Sequence, residues 1–199
     1  MPRESSTTWQ RIARRIRVPL GFAFAGLYLW LARPTLKSIL LGTLFVIVGI
    51  MVRALASGHL SKNEKLAMSG PYSYSRNPLY LGSLILALGF ALAALSWWVA
   101  FLLAVMFAAI YVPVIQAEET FLRSTFPEFE DYAREVPRLI PRLTSLRPSG
   151  ANFSWELYLK HREYNAALGS AALIATLMAK LFWHLHNAGT TTGISLGNH

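Results

Sequence analysis

The chain has 199 residues, of which 54% are apolar and 15% charged. Soluble domains contain about 45–50% apolar and about 25% charged residues, so this composition resembles that of a lipid-facing protein and excludes a disordered chain. The absence of cysteine excludes disulfide scaffolds and thiolate metal sites, and the net charge of +9 comes from basic residues that flank apolar runs. Nucleic-acid binding requires such residues on one water-exposed surface, so we expect no nucleic-acid partner.

The N-terminal residues 1–17 are rich in arginine, and residues 9–17 are predicted to lie along the membrane interface as an amphipathic helix. A secretory signal peptide has the same order of charge and apolar run. No small-x-small cleavage site follows the run, which ends in the residues YLWLAR. We therefore favour the interfacial helix.

Apolar runs predict an all-α, polytopic membrane helix bundle of about five transmembrane helices. The first two runs are separated by a tight turn at Pro34 and predict a helical hairpin over residues 18–56. The third and fourth meet at Ser96 and predict a second hairpin. The runs cover residues 18–32, 38–52, 79–95, 97–115 and 166–185.

The distribution of Lys and Arg predicts the orientation, because cytoplasmic segments carry the excess. The connections 1–17, 53–78 and 116–163 contain sixteen such residues, against two, Arg33 and Lys37, on the opposite side. The N-terminus is therefore predicted to be cytoplasmic. The uncharged tail, residues 188–199, is rich in Gly and Thr and is predicted to be disordered.

Residues 66–80, LAMSGPYSYSRNPLY, form the first informative polar stretch. Pro78 suits the first turn of the third span, which makes Asn77 the natural N-cap and puts Arg76 beside it. A helix N-terminus with a guanidinium is suited to a carboxylate or phosphate. The alternative is a simple interfacial belt of Arg and of the tyrosines that surround the site, Tyr72, Tyr74 and Tyr80.

Glu118 and Glu119 form the second polar stretch, directly after the apolar fourth span. Adjacent carboxylates repel each other and are costly at the membrane edge unless they meet water, a cation or a polar ligand. The alternative is an ordinary helical ion pair between Glu119 and Arg123, which contributes about 0.3–0.5 kcal/mol. Pro113 is expected to kink the span one turn earlier.

GPYSYSRNPLYLG, an apolar hairpin and EETFLRSTFPEFEDYAREVPRLIP together resemble the isoprenylcysteine carboxyl methyltransferase and phospholipid methyltransferase family of integral membrane enzymes. The resemblance covers about residues 53–141 and rests on an Arg-His/Asn-Pro-x-Tyr motif joined to a Glu-Glu pair. It implies that residues 57–147 form a catalytic core. Residues 148–187 then form an interfacial segment and the last transmembrane helix.

The resemblance implies a pocket for S-adenosylmethionine on the cytoplasmic side. Leu66 and Ala67 would lie along the adenosine, Arg76 would suit the methionyl carboxylate, and Glu118 would suit the ribose hydroxyls or the ammonium group. The other residues implied to line the cofactor are Tyr72, Asn77, Pro78 and Tyr80.

The implied reaction is methyl transfer to a lipid or lipidated acceptor that enters from the bilayer, as in the prenylcysteine carboxyl methyltransferases. Where many relatives have His this chain has Asn77, which rules out a titrating imidazole there. Residues 113–116 also lack the Arg that holds a substrate carboxylate in the prenylcysteine enzymes, which leaves an amine, a phospholipid headgroup or a hydroxyl open. Of these, a phospholipid ethanolamine headgroup is the alternative acceptor. For such an amine, Glu118 or Glu119 is the candidate catalytic proton acceptor.

Two rival functions belong to other classes. The first is a nicotinamide-dependent reductase of the sterol type, whose C-terminal half resembles the same membrane fold. This chain lacks the glycine fingerprint of a dinucleotide-binding fold after a strand. A non-catalytic membrane scaffold would gain nothing from the acidic pair. No metal site is expected, because His59 and His161 are predicted on one side of the membrane and His184 and His186 on the other; each is predicted to be a lone interfacial His.

Alanine recurs every fourth residue in the last span, at Ala167, Ala171, Ala175 and Ala179. Small residues in such a stripe let another helix approach closely. Packing within the chain is the first interpretation and a homodimer seam the second. Membrane lipids are the remaining expected partners.

Overall fold

A computed structural model of the protein describes residues 23–60, 65–145 and 152–195. All regular secondary structure in these ranges is helical, which confirms the all-α class. The predicted amphipathic segment 1–17 lies outside the described residues. The elements are α1 (residues 23–31), α2 (Leu36–Ser57), a 3-10 helix (Gly70–Ser73), α3 (Pro78–Ala94), α4 (Trp97–Thr125), α5 (Phe129–Glu135), α6 (Trp155–Lys160) and α7 (Tyr164–Ser195).

Three of the described helices are long and apolar enough to cross a membrane: Leu36–Ser57, Trp97–Thr125 and Tyr164–Asn187. Helix α3 is apolar but has only 17 residues. Large apolar side chains on these helices are exposed, among them Trp97, Phe101 and Leu44. Because exposed apolar surface of this extent is stable in lipid rather than in water, the chain is an integral membrane helix bundle.

Both predicted tight turns are present. Residues 32–35 connect α1 to α2, and Thr35 caps α2 by accepting a hydrogen bond from the Ser38 backbone at 3.1 Å. Leu95 and Ser96 connect α3 to α4, and Leu95 has the left-handed backbone (φ 48°) that commonly ends a helix. Of the first predicted span, only residues 23–31 are described.

Helices α2 and α3 pack backbone against backbone at two pairs of glycines. A Cβ atom at Gly42 would lie 2.5 Å from the carbonyl oxygen of Gly89, and one at Gly49 would lie 2.8 Å from that of Gly82. Close approach through small residues is a principal means by which helices associate in lipid, where burial of apolar surface drives little. The antiparallel pair of α2 and α3 is therefore the closely packed centre of the bundle.

Helix α7 differs from the prediction in two ways. It continues to Ser195, into the segment 188–199 that was predicted to be disordered, because each residue added to an existing helix gains a backbone hydrogen bond. Its alanine stripe faces outward: Ala171, Ala175 and Ala179 are exposed. Among the described residues, packing within the chain does not cover the stripe, and the homodimer seam stays a prediction.

The 3-10 helix, α5 and the segments that flank them form a small unit, called the polar unit below, that covers one end of the bundle. Its apolar core consists of Leu66, Phe129, Tyr132 and Val136. The Tyr132 hydroxyl donates to the Tyr72 carbonyl at 2.7 Å, and burial raises the pKa of Tyr132, which keeps this donor protonated. These contacts hold the 3-10 helix and α5 together over the first turn of α3.

Two glycine substitutions, one in the packed contact and one outside it, test the packing of α2 on α3. Gly42→Ala should lower the free energy of unfolding by about 1–3 kcal/mol, because the added methyl group meets backbone atoms that can move only if α3 shifts. Gly169→Ala should be neutral or raise stability by up to about 1 kcal/mol, because nothing lies within 4 Å and Ala favours a helix. Thermal unfolding in detergent micelles measures both. Equal effects would contradict the close packing of α2 on α3.

Candidate functional site

A cavity of about 490 Å³ opens between the first turn of α3, the last turns of α4 and the polar unit. Both informative sequence stretches contribute to its wall. The lining residues are Leu60, Lys65, Leu66, Ala67, Tyr72, Arg76, Asn77, Leu79, Tyr80, Val114, Ala117, Glu118, Glu119, Phe121, Leu122, Phe126, Phe129, Tyr132 and His161.

Glu119 is the most constrained charged group of the cavity, with a side chain only 6% exposed. Arg138 Nη2 donates to Oε2 at 2.7 Å, and Arg138 Nε lies 3.1 Å from both carboxylate oxygens. Arg76 Nη1 lies 3.5 Å from Oε1. The hydrogen bond to Glu119 raises the pKa of Arg138, which remains a cation. The alternative ion pair of Glu119 with Arg123 does not form, since Arg123 pairs with Glu130.

Asn77 occupies the N-cap position of α3, but its side chain does not cap the helix as predicted. Asn77 Nδ2 instead donates to the Arg138 carbonyl at 2.9 Å and lies 3.5 Å from Glu119 Oε1. The side chain therefore turns away from the helix because a carbonyl and a carboxylate lie within its reach. Pro78 begins the helix as expected.

Arg76, which also lines the cavity, has an unsatisfied donor. Its Nε is buried and has no hydrogen-bond partner among the described residues, although the side chain is 13% exposed overall. A buried N–H without an acceptor is costly, and such groups in native proteins commonly mark a missing water, ion or ligand. The sequence predicts a carboxylate or phosphate bound beside this guanidinium, and an unpaired donor on Arg76 fits that prediction.

Glu118 presents its carboxylate to the cavity and has one close partner, the Tyr80 hydroxyl, which donates to Oε2 at 2.7 Å. The Tyr80 ring makes an edge contact with Tyr111, with centroids 5.5 Å apart. Nearby, burial raises the pKa of Tyr72 and keeps that phenol neutral. Of the two carboxylates in the wall, Glu119 is fully engaged, whereas Glu118 accepts only from Tyr80 and lies in the same wall as the incompletely paired cation Arg76.

The structure brings eight of the nine predicted site residues to this one cavity: Leu66, Ala67, Tyr72, Arg76, Asn77, Tyr80, Glu118 and Glu119. Pro78 is buried in the first turn of α3 and is not part of the wall. Tyr74, which was expected to surround the site, is 39% exposed and also lies outside it. The contact of each residue with a cofactor stays a prediction.

Sequence reasoning missed Arg138 and His161. Arg138 lies within the EVPRLIP segment, part of the sequence that carries the resemblance, where an Arg after an acidic helix could have indicated a partner for the Glu-Glu pair. His161 was interpreted as a lone interfacial residue, and no spacing motif connects it to the cavity. Among the described residues, no group of three or more His, Asp and Glu side chains could hold a metal ion.

The fold and the site define an all-helical integral membrane protein with a cavity lined by charged residues at one end of its bundle. The chain belongs to the phospholipid methyltransferase family, whose sequence model matches residues 39–128. The matched segment includes RNPLY and the Glu-Glu pair, whereas Arg138 and His161 lie beyond it.

Two bacterial relatives are similar over longer stretches. The cobalt-zinc-cadmium resistance protein CzcN of Cupriavidus metallidurans is 35% identical over 83% of this chain and 74% of its own length. The nickel-cobalt-cadmium resistance protein NccN of Alcaligenes xylosoxydans is 38% identical over 59% of this chain and 55% of its own. No solved structure matches the chain.

The network around Glu119 predicts a large cost for Glu119→Gln. A neutral amide leaves Arg76 partly buried without its carboxylate, and breaking such a pair costs about 3–5 kcal/mol. The matched control is Glu130→Gln, which breaks the ion pair with Arg123 at half-exposed side chains and should cost at most about 1 kcal/mol. Thermal unfolding of the two variants should separate them clearly. Similar stability would show that the carboxylate does not hold the cavity together.

Proposed function

We propose that the protein transfers a methyl group from S-adenosylmethionine to a lipid or lipidated acceptor embedded in the membrane. The observation that carries this proposal is the cavity of about 490 Å³ in which the buried donor of Arg76 and the carboxylate of Glu118 share one wall. The donor carries both a carboxylate and an ammonium group, so a site with one group of each charge suits it. Membership of the methyltransferase family supports the same assignment.

The residues of the wall fit this cofactor by chemistry. The Arg76 guanidinium would bind the methionyl carboxylate, and Glu118 would accept from the ammonium or the ribose hydroxyls. Leu66 and Ala67 provide apolar surface for the adenosine. When bound, S-adenosylmethionine supplies a methyl group on a sulfonium, whose charge is lost as the group leaves.

Glu119 has a supporting part in this proposal. Both of its oxygens already accept hydrogen bonds from Arg138, so it holds the guanidinium groups in place and is poorly placed to receive a proton. Asn77 bridges Glu119 and the Arg138 carbonyl and fixes the start of α3 against the same network. The protein thus mainly positions the reactants and excludes water.

A second hollow supports an acceptor that comes from the bilayer. A groove of about 530 Å³ runs between α1, α3, α4 and α7, with a largely apolar wall that includes Ala87, Phe90 and Leu173. Its wall also includes the polar residues Arg53 and Ser83. The groove also contains Tyr111, whose ring touches Tyr80 in the wall of the cavity. An amphiphile in the groove would place its polar end beside this Tyr80–Tyr111 contact.

The excess of Lys and Arg in the connections at this end of the bundle supports a cytoplasmic site with a cytoplasmic N-terminus. The two relatives are named for resistance to metals. Under this proposal, a connection of this chain to metal tolerance would arise through the membrane component that it methylates.

Calorimetry with S-adenosylmethionine tests the site in full-length protein reconstituted into lipid nanodiscs. Glu118→Gln should weaken binding at least about tenfold, as expected when a charge-assisted hydrogen bond of about 1.5–3 kcal/mol is lost. Glu118 has one described side-chain partner, Tyr80, so the substitution should leave the fold intact. The matched control, Glu135→Gln on the exposed surface of α5, should bind as the wild type does.

The acceptor class is tested with cofactor labelled in its methyl group. Label should appear in the lipid fraction of vesicles made from a total bacterial lipid extract, or in a farnesylated cysteine carried in phosphatidylcholine vesicles. Phosphatidylethanolamine as the labelled component would favour the headgroup N-methyltransferase alternative. Wild-type protein that neither binds the cofactor nor transfers label would refute the proposed function.

A further inference from the structure

His161 is the only histidine among the described residues that line the cavity. It follows the last residue of α6, and its Nδ1 lies 2.7 Å from the carbonyl oxygen of Leu157. A carbonyl oxygen can only accept a hydrogen bond, so Nδ1 carries the proton that is donated. In the neutral ring, Nε2 is then the unprotonated nitrogen, and it has no hydrogen-bond partner among the described residues.

The turn that carries this imidazole is fixed to the bundle. Residues 161–163 connect α6 to α7, and Arg162 adopts a left-handed backbone with φ 55°. Glu163, the last residue of the turn, accepts two hydrogen bonds of 2.9 Å from Arg53 on α2. Arg53 also donates to Ser83 on α3. A bidentate pair of this kind restricts both orientation and distance, so His161 is held at the cavity wall.

Other groups of the wall are less suited to receive a proton. Glu119 is engaged by two guanidinium groups, and Lys65 is an ammonium donor. Glu118 accepts from Tyr80 at one oxygen, and under the proposed function its other oxygen accepts from the bound cofactor. The neutral Nε2 of His161 is a free acceptor. The charged and titratable groups that face His161 across the cavity or flank it are Lys65, Tyr72, Arg76, Tyr80, Glu118, Glu119, Tyr132, Lys160, Arg162 and Glu163.

We propose, on the basis of the proposed function, that His161 is the proton acceptor of the methyl transfer and that the substrate presents an N–H, O–H or S–H group rather than a carboxylate. The lone pair of the acceptor atom forms the bond to the methyl carbon, and the electron pair of the broken carbon–sulfur bond stays on sulfur. The proton of the acceptor passes to Nε2. The products are the methylated acceptor, a neutral thioether and an imidazolium, which then releases its proton to water.

Chemical modification tests the placement of Nε2 without any turnover. Diethyl pyrocarbonate acylates accessible unprotonated imidazole nitrogens, and peptide mass spectrometry identifies the modified residue. In full-length protein in nanodiscs, His161 should react, and S-adenosylhomocysteine should slow its reaction at least threefold. His59 is the control, because its Nδ1 makes the same contact with the carbonyl four residues earlier, yet it does not line the cavity. An unreactive or unprotected His161 overturns the inference.

Kinetics of His161→Asn test the chemical role. The Asn amide can keep the donor to the Leu157 carbonyl but has no basic nitrogen, so kcat should fall by about 10²–10⁴-fold, the usual contribution of a general base. The dissociation constant for S-adenosylmethionine should stay within about twofold of the wild type. The acid limb of the wild-type pH–rate profile, where the imidazole takes up a proton, should be lost. His59→Asn should retain the wild-type rate and profile.

The outcomes separate the two proposals. A wild type that binds no cofactor and transfers no label refutes the proposed function itself. A His161→Asn variant with wild-type kcat and pH profile overturns the role of His161 and leaves the methyl transfer standing. Methylation of the carboxylate of the farnesylated cysteine at a rate that His161→Asn does not change also overturns the inference.

Discussion

The site depends on the burial of the Glu119 carboxylate among guanidinium groups. Glu119 lies near the end of α4, Arg76 directly before α3 and Arg138 in the segment after α5. One carboxylate therefore joins three parts of the chain that no other described ion pair connects. Desolvating it is favourable only while these cations remain in place, so the pair of polar stretches and the segment around Arg138 form as a unit.

This unit needs rigid support, which the packed pair of α2 and α3 provides. The glycine contacts bring the two backbones together along the apolar length of the helices, so the start of α3 has little freedom to tilt. Arg53, one turn before the end of α2, then reaches both Ser83 on α3 and Glu163 before α7. Packing in the lipid region and ion pairing at its edge are therefore coupled through the same pair of helices.

Much of the fold followed from the sequence, because each apolar run is bounded by charges, Pro or Ser, and the tight turns leave little choice of connection. The positions of Asn77 and Pro78 at the start of α3 were also readable from local chemistry. The direction of the Asn77 side chain was not, since it is decided by Arg138, which is 61 residues further along the chain. Local propensity alone favours capping, and a tertiary contact overrides it.

The same limit explains why the sequence identified the acids but not their partners. Placing two adjacent carboxylates at the end of an apolar span costs free energy. The pair therefore indicates a functional site even when its binding partner is unknown. The pairing of Glu119 with Arg138 requires α5 to fold back over the cavity, and this depends on the small apolar core of Phe129, Tyr132 and Val136. His161 is more remote still: its place in the wall depends on a turn fixed by Arg53 and Glu163, 110 residues apart in the chain.

The charged cavity and the apolar groove meet at the contact between Tyr80 and Tyr111. Under the proposed function, a water-soluble sulfonium and an apolar acceptor would each be held in its own environment and would meet at a short boundary. Tyr80 belongs to the charged cavity through Glu118, and Tyr111 belongs to the apolar groove through its stacked contact with Phe107. Amphipathic rings suit this boundary because each has an apolar body and a polar tip. The reacting atoms would meet where the membrane edge and the ion-pair network meet.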